Sequence, residues 1–300
     1  MNKRYLLALF GFTSITGIAQ IKGDIFSFNY TLAPISSDDI EYSKTDFKFN
    51  FPLKLKKGVL LNYAGFDYYQ IGYDNINFVA EDISQFYEVS YGLTYRHPIG
   101  EKWRLSARGG VSMASNFTNT LTKNDIGFRG GLTALKRLGS KETSSMFMFG
   151  LDYTALSGKP RILPMLSYTK RVNDKFSYGI GFPNTSVEYK LNDKSGLKTS
   201  LWMNGFYANL SEQFGVTMTD VADKVSFSTV SLELEYSYWM DRMWAITFKG
   251  GYSLRNEYQL LDNNNSIVYD FELRSKPYFS AGIKFNIKNR NQIKNNNGND

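Results

Sequence analysis

Alternation between apolar and polar residues over residues 87–113 constrains the fold of this chain most. From 87 to 95 every second residue is Tyr, Val or Leu, and the residues between them are charged, polar or small. After a polar turn at 97–102, a second alternating stretch runs from 103 to 113. Side chains two residues apart share one face of a strand, so the two stretches predict a β-hairpin with one apolar and one polar face. Aromatic residues at the ends of the apolar faces are typical of a hairpin that crosses a membrane.

The same period of two recurs along most of the chain and predicts an all-β protein. We predict fourteen strands, near residues 26–32, 47–55, 59–68, 87–95, 103–113, 126–134, 147–153, 163–171, 176–182, 187–191, 197–207, 230–238, 244–254 and 279–287. Short polar turns alternate with longer connections, which lie at 33–44, 69–83, 115–124 and 209–224. Outer-membrane barrels show this alternation of short and long connections, whereas a soluble β-sandwich does not require it. The sequence therefore predicts a transmembrane antiparallel up-and-down β-barrel of about fourteen strands, with twelve to sixteen left open.

Two local features bear on the strand count. Pro164 lies within the eighth predicted strand, where its missing N–H either weakens the pairing or places the residue near a rim. Residues 267–273 also alternate, and counting them as a membrane strand would give fifteen. Single-chain bacterial barrels have an even number of strands, so we interpret residues 256–276 as a long outer loop with a protruding hairpin.

The two ends of the chain differ from the predicted barrel. Lys3 and Arg4 precede an apolar run, and residues 17 and 19 are small, so we expect a signal peptide over residues 1–19. The apolar run is shorter than the about 20 residues that an anchor helix needs. Residues 288–300 are polar and low in complexity and predict a disordered tail. Residues 20–287 remain as one barrel domain.

Composition agrees with a membrane barrel and excludes other classes. The chain has no cysteine and a mean hydropathy of −0.34, with no apolar run beyond residue 20 long enough for a membrane helix. Aromatic residues make up 16% of the chain, and a barrel can place them on its lipid face and at both interfaces. Of the net charge of +7, two units lie in residues 3–4 and two in the tail, so the body carries three. That excess is too small and too dispersed to predict a nucleic-acid partner.

Charged residues on the polar faces of the predicted strands are the candidate lumen-lining residues. They are Arg96, Arg104, Arg108, Arg129, Lys198, Lys249, Glu88, Asp152, Glu233 and Glu235. Each alternates with apolar neighbours and is expected to point into the barrel. A charged lumen that selects solutes and a lumen closed by paired charges both agree with this pattern, and the mixture of signs slightly favours closure.

The chain offers little for catalysis or metal binding. His97 is the only histidine. A zinc site or a serine-hydrolase arrangement at His97 would need further ligands or a serine on the same wall, so we interpret it as a solvated turn residue. We expect no catalytic residue, no cofactor and no metal, and a lipid-acting barrel enzyme is the least favoured function.

Three stretches carry a resemblance to a known group of proteins. They are Gly-Ile-Ala-Gln at 17–20, FKFNFPLKLK at 47–56 and PYFSAGIKFNIK at 277–288. In these the chain resembles outer-membrane β-barrels of the Bacteroidota type, and in particular a family of such barrels with no assigned function. The resemblance implies one barrel over essentially the whole mature chain.

The predicted function is that of an exported outer-membrane β-barrel whose specific role the sequence leaves open. A passive channel or transporter for small solutes is the leading hypothesis. The alternative is a non-conducting structural or binding barrel whose outer loops engage a surface partner or lipopolysaccharide. The expected partners are the lipid bilayer, lipopolysaccharide and the barrel-assembly machinery, together with a small-molecule solute if the barrel conducts.

Overall fold

The computed structural model describes residues 24–33, 40–74, 78, 80–139, 144–217, 220–271 and 273–287. The predicted signal peptide and the predicted disordered tail lie outside these residues. The strands are β1 (Phe26–Ala33), β2 (Ile40–Leu55), β3 (Gly58–Tyr73), β4 (Gln85–Ile99), β5 (Trp103–Ser115), β6 (Ile126–Leu138), β7 (Ser145–Thr154), β8 (Arg161–Arg171), β9 (Phe176–Phe182), β10 (Asn184–Lys190), β11 (Ser195–Gly215), β12 (Val221–Trp239), β13 (Trp244–Leu261), β14 (Ile267–Phe271) and β15 (Pro277–Phe285). Two short 3₁₀ turns lie at Glu81–Ile83 and Lys123–Asp125.

Fourteen of these strands form a closed antiparallel ring. Each strand pairs with its neighbours in sequence, β13 pairs with both β12 and β15, and β15 closes the ring on β1. β14 pairs with β13 alone and forms a hairpin that protrudes from the ring. The predicted count of fourteen and the protruding hairpin within 256–276 are therefore confirmed. Closure gives every strand of the ring two partners and removes exposed sheet edges.

The outer face of the barrel is apolar, as the alternation predicts. Phe128, Leu132 and Ile162 point outward with 67%, 68% and 66% of their surface exposed. Among the described residues, no helix is long and apolar enough to cross a membrane, a finding that does not bear on crossing by strands.

The two ends of the barrel differ in height and in construction. The first and last described residues, Asp24 and Ile287, and the short turns lie at one end, called the turn end here, and the longer connections lie at the other, the loop end. On the side formed by β6–β10 the wall is low, because β9 and β10 have only seven residues each. β8 therefore has β7 as its only strand partner over residues 161–165, and Pro164 lies in this part, near the rim as expected.

Above the low wall, the strands on either side of it meet directly. β11 leaves β10 after Trp202 and continues to Gly215. At Asn209 it pairs with Ser115 of β5, although β5 and β11 lie on opposite sides of the low wall. The loop-end parts of β2–β5 and β11–β14 thus form a narrower β-structure on top of the barrel, called the extension here. The long loops predicted at 33–44, 69–83 and 209–224 are partly wrong, because strands occupy 40–44, 69–73, 209–215 and 221–224.

Candidate functional site

The inside of the extension is an apolar core. It is built from inward-facing side chains of β2–β5 and β11–β14, including Tyr69, Ile71, Phe86, Phe206, Ala208, Leu210, Val225, Phe227, Tyr258, Leu260 and Phe271. Phe206 of β11 stacks on Tyr69 of β3, with ring centroids 4.4 Å apart, and meets Phe86 of β4 edge-on at 5.4 Å. These contacts join opposite walls of the barrel. They leave a cavity of about 20 Å³ at this level of the lumen.

Polar groups fasten the place where β5 and β11 meet. Ser115 Oγ donates to the Asn209 carbonyl oxygen at 3.0 Å, and Asn209 Nδ2 donates to Asp125 Oδ1 at 2.9 Å. Asp125 also accepts from the Thr122 backbone N–H at 2.6 Å. Burial raises the pKa of the Asp125 carboxyl, but these hydrogen bonds outweigh burial and hold the pKa below its usual value. The carboxylate therefore stays ionised and accepts hydrogen bonds across the seam.

Below the extension, the lumen carries paired charges. Arg108 pairs with Asp152 and Arg129 with Glu88. Lys249 lies 3.9 Å from Glu233 and 3.5 Å from Glu235, and Lys198 lies 3.7 Å from Glu188. Eight of the ten predicted lumen-lining residues therefore belong to ion pairs, which is the arrangement expected of a lumen closed by paired charges.

The alternation rule missed several residues of the same layer. Lys44 pairs with Asp67 at 2.9 Å, and Lys48 with Asp46 at 3.2 Å. Lys284 of β15 pairs with Glu235 at 2.7 Å. Lys48, Asp67 and Lys284 lie between apolar neighbours, so the same signal could have found them. Lys44 lies between Ser43 and Thr45, and Asp46 follows Thr45, so alternation does not identify these two.

Arg96 and Arg104 are the two predicted lumen residues that the structure does not bring to a carboxylate. Both are exposed, near the turn end of β4 and β5, and neither forms an ion pair with any described residue. Arg104 stands opposite Pro98, so the two arginines are diagonal neighbours on the inner face of β4 and β5. They therefore differ from Arg108, which lies deeper in β5 and is paired.

A wide cavity lies at the turn end of the lumen. Its volume is about 660 Å³, and it is called the vestibule here. Its charged lining residues are Asp24, Lys170, Arg171, Asp174, Lys175, Glu188, Lys190, Asp193, Lys198, Glu235 and Lys284. The lumen thus changes from an apolar plug, through paired charges, to a polar vestibule along the barrel axis.

The structure brings no catalytic or metal-binding group together at His97. The imidazole Nδ1 lies 3.0 Å from the Tyr95 hydroxyl, with which it can share a hydrogen bond. In the described part of the chain, no group of three or more His, Cys, Asp and Glu side chains could hold a metal ion.

Solved structures of several membrane barrels show a distant likeness. The KdgM porin in complex with disordered oligogalacturonate is 8% identical, with a TM-score of 0.36 over 87% of this chain and 98% of that one. The NanC porin is 11% identical, with a TM-score of 0.37 over 87% and 99%. The Pseudomonas putida toluene transporter TodX is 8% identical, with a TM-score of 0.36 over 89% and 90%. Likeness at this level carries no information about a ligand.

Sequence comparison assigns the chain to a family. No curated protein matches its sequence. Residues 41–286, which include most of the barrel, match the family described as a domain of unknown function, DUF6268. The chain belongs to the DUF6268 family.

Proposed function

We propose that the protein is an outer-membrane β-barrel, exported by its N-terminal leader, whose lumen is closed to passive diffusion in the conformation seen. The apolar outer face supports the membrane location. Residues 103–113 cover about ten steps of ~3.3 Å, and a tilt of about 40° converts this into a rise of roughly 25 Å. That rise matches the apolar band of outer-membrane barrels. The resemblance at 17–20 and 277–288 supports an origin of the Bacteroidota type.

Aromatic residues at both ends of the apolar face support the same location. At the turn end, the Trp244 ring lies 4.9 Å from Phe285 and 6.2 Å from Phe26. At the loop end of the apolar face, Tyr68 and Tyr87 stack at 4.9 Å. Aromatic rings at two levels fit the interfacial girdles of a membrane barrel.

The observation that carries the closed state is the stacking of Phe206 on Tyr69 at 4.4 Å across the lumen. A channel for small solutes needs a continuous water path, and this contact interrupts it. The function supported best is therefore that of a closed barrel that presents the extension on one side of the membrane and the vestibule on the other. The extension would then be the surface that engages a partner or lipopolysaccharide.

A transporter that opens the extension is the second candidate. It is supported by the vestibule, since a cavity of about 660 Å³ would admit a small solute as far as the paired charges. In that case the lumen conducts only after the contacts of Phe206 separate. The two candidates differ in whether any condition opens the barrel.

Conductance in planar lipid bilayers tests the closed state. The purified, folded wild-type barrel is expected to give no steady current steps, while a porin of similar size in the same bilayers gives them. Steady current steps from a homogeneous, folded wild-type sample would show that the apolar core of the extension does not close the lumen in a membrane. Brief, rare current steps from the wild type would favour the transporter if they become more frequent when Phe206 is replaced by Ala.

Cell fractionation tests the location separately. The protein is expected in the outer-membrane fraction, resistant to carbonate extraction, and shorter than the gene product by the leader. Recovery in the soluble periplasmic fraction would remove both candidates, whatever the bilayer experiment shows.

A further inference from the structure

We propose that the turn end of the lumen binds small organic polyanions through four inward-facing arginines. These are Arg96, Arg104, Arg137 and Arg171, called the arginine arc here. Arg171 lines the vestibule, and the other three lie on the neighbouring strands β4, β5 and β6. The inference rests on the barrel fold and on the charges at the turn end, and it holds whether or not the lumen conducts.

Strand alternation places all four side chains inside the barrel. Arg104 lies between Trp103 and Leu105, which both face outward and are exposed. Arg137 lies between Lys136, whose ammonium sits 5.0 Å from the Trp103 ring, and the exposed Leu138. Their positions are therefore not those of residues at the lipid interface.

Arg96 and Arg171 follow the same rule. Arg96 is in phase with Glu88, which is buried and pairs with Arg129 inside the lumen. Arg171 lies an odd number of residues from the exposed Ile162 and Leu166, so it belongs to the opposite face of β8. It also lines the vestibule. All four guanidinium groups are therefore on the inner wall.

The register places the four positions near the turn ends of successive strands. Arg104 stands opposite Leu135 of β6, and the Arg137 backbone N–H donates to the Lys102 carbonyl at 2.8 Å. Arg137 stands opposite Met146 of β7, and Met146 opposite Thr169 of β8, two residues before Arg171. Inward-facing arginines thus follow one another from β4 to β8, interrupted only by Met146.

The arc differs from the arginines one layer deeper. Arg108 and Arg129 each have a carboxylate partner, whereas none of the four arc residues forms an ion pair with a described residue. Arg104 stands opposite Pro98, two residues from Arg96, so the two arginines are diagonal neighbours on one face of the sheet. Like charges held together without a counter-charge stabilise any anion that enters between them.

The acidic residues of the vestibule are mostly engaged elsewhere. Glu235 pairs with Lys284 at 2.7 Å, Asp193 with Lys190 at 2.7 Å, and Glu188 with Lys198 at 3.7 Å. Asp24 accepts from the Asn286 amide at 3.2 Å. Of the remaining lining charges, Asp24 and Asp174 form no ion pair with a described residue, and neither do Lys170, Arg171 and Lys175. The unpaired charges of the vestibule are therefore three basic and two acidic, and the other three arginines of the arc add to this basic excess at the turn end.

The chemistry of guanidinium groups indicates the ligand class. Arginine forms paired hydrogen bonds with the two oxygens of a carboxylate or a phosphate. Several arginines at one end of the lumen suit a molecule with several such groups, and Met146 within the arc adds an apolar contact. The ligand is a soluble polyanion rather than a lipid headgroup, because the arc faces the lumen.

Calorimetric titration of the full-length detergent-solubilised barrel with citrate and, separately, with pyrophosphate tests the proposal. Wild type is expected to bind at least one of them, with an affinity that falls as salt rises. Citrate alone would assign a carboxylate ligand, and pyrophosphate alone a phosphate ligand. No binding of either at millimolar concentration would overturn the proposal.

Variants separate the arc from general positive charge. Replacing all four arc residues by Gln should weaken binding by about tenfold or more, because the charged hydrogen bonds from the guanidinium groups are lost. The matched control removes four charges from exposed turns at the same end, as Lys56→Gln, Lys57→Gln, Lys102→Gln and Lys194→Gln, and should bind nearly as wild type. Equal loss in both variants would overturn the proposal.

A second set of substitutions keeps the test valid if the Gln variant folds poorly. Replacing the four arginines by Lys retains the charge and removes the paired hydrogen-bond geometry. Weaker binding in this variant, with an unchanged far-UV circular dichroism spectrum, supports recognition by guanidinium groups. Unchanged affinity would reduce the arc to a source of charge and would contradict the proposal as stated.

Discussion

The loop end and the turn end of the lumen are filled in opposite ways by the same strands. In β12, Val225 and Phe227 near the loop end point inward into the apolar core, whereas Glu233 and Glu235 further down point inward and carry charge. The outward residues change in the opposite sense, from the polar Ser228 to the apolar Leu232 and Leu234. The apolar face of a strand therefore switches from outside to inside where the strand leaves the apolar band. One chain thus forms a barrel that is apolar outside and, above it, a barrel-like extension that is apolar inside.

This switch has a physical cause in the surroundings. Within the band, lipid requires apolar side chains outside and leaves the inside to paired charges. Above the band, water surrounds the strands, and only the inside can bury apolar surface. β13 shows how the strand adapts, since a bulge at Leu254 shifts its pairing with β12. Below the bulge Lys249 faces inward, and above it Tyr258 and Leu260 do.

Replacing the central side chain of the apolar core is expected to lower the stability of the protein most. Phe206 is 1% exposed and touches rings from two other strands. Phe206→Ala should lower the free energy of unfolding by about 3–5 kcal/mol, through lost burial and the cavity left behind. Urea unfolding in detergent, followed by tryptophan fluorescence, measures the loss.

The matched control for that substitution is Phe248→Ala on the lipid face of β13. Phe248 is 56% exposed to the surroundings of the barrel, so its loss leaves no cavity. Its effect should be clearly smaller than that of Phe206→Ala. Equal effects would mean that the core of the extension contributes no more than the lipid face, and the comparison between the two ends would fail.

Breaking a pair in the middle layer is expected to have an intermediate effect. Asp152 is buried and pairs with Arg108, whose side chain is 43% exposed. Asp152→Asn should cost about 1–2 kcal/mol, less than for a fully buried pair, because water can reach the guanidinium left behind. The same unfolding measurement applies.

A double-mutant cycle shows whether the pair itself is responsible. The combined Arg108→Gln and Asp152→Asn variant should recover part of the stability lost by Asp152→Asn alone. Additive losses from the two single changes would mean that the residues do not interact in the folded barrel.

The sequence predicted the lower barrel far better than the extension. Alternation found the fourteen strands, because the outer face is apolar in every strand of the lower barrel and the period is therefore the same throughout. It ended the eleventh predicted strand at residue 207 and began the twelfth at 230, because the apolar face changes sides there and apolar residues no longer continue on the same face. Yet Phe206, Ala208 and Leu210 do alternate with polar residues and could have extended the strand. The meeting of β5 and β11 is a long-range contact that no local pattern encodes.

The hydrogen bonds of Asp125, where β5 and β11 meet, should make the stability of the extension depend on pH. The Asp125 pKa is held below its usual value by hydrogen bonds, so its contribution to stability is present above the unfolded-state pKa of about 4 and is lost as pH falls through the lower folded-state pKa. Asp125→Asn should cost about 1 kcal/mol at neutral pH. Thermal unfolding from pH 6 to pH 3 should show wild type and variant converging. A constant difference over that range would mean that Asp125 does not act through its charge.

An exposed pair at the turn end should matter least and completes the comparison. Lys190 and Asp193 lie 2.7 Å apart, yet the Asp193 side chain is 98% exposed. Water competes for both groups and ordering the lysine costs entropy, so the pair contributes little to folding. Replacing both residues, as Lys190→Gln and Asp193→Asn, should leave the urea midpoint unchanged within measurement error, at low and at high salt. A clear loss of stability would show that the rim of the vestibule is part of the folding core, and the lumen would then lack the graded change from a rigid loop end to a loosely held turn end.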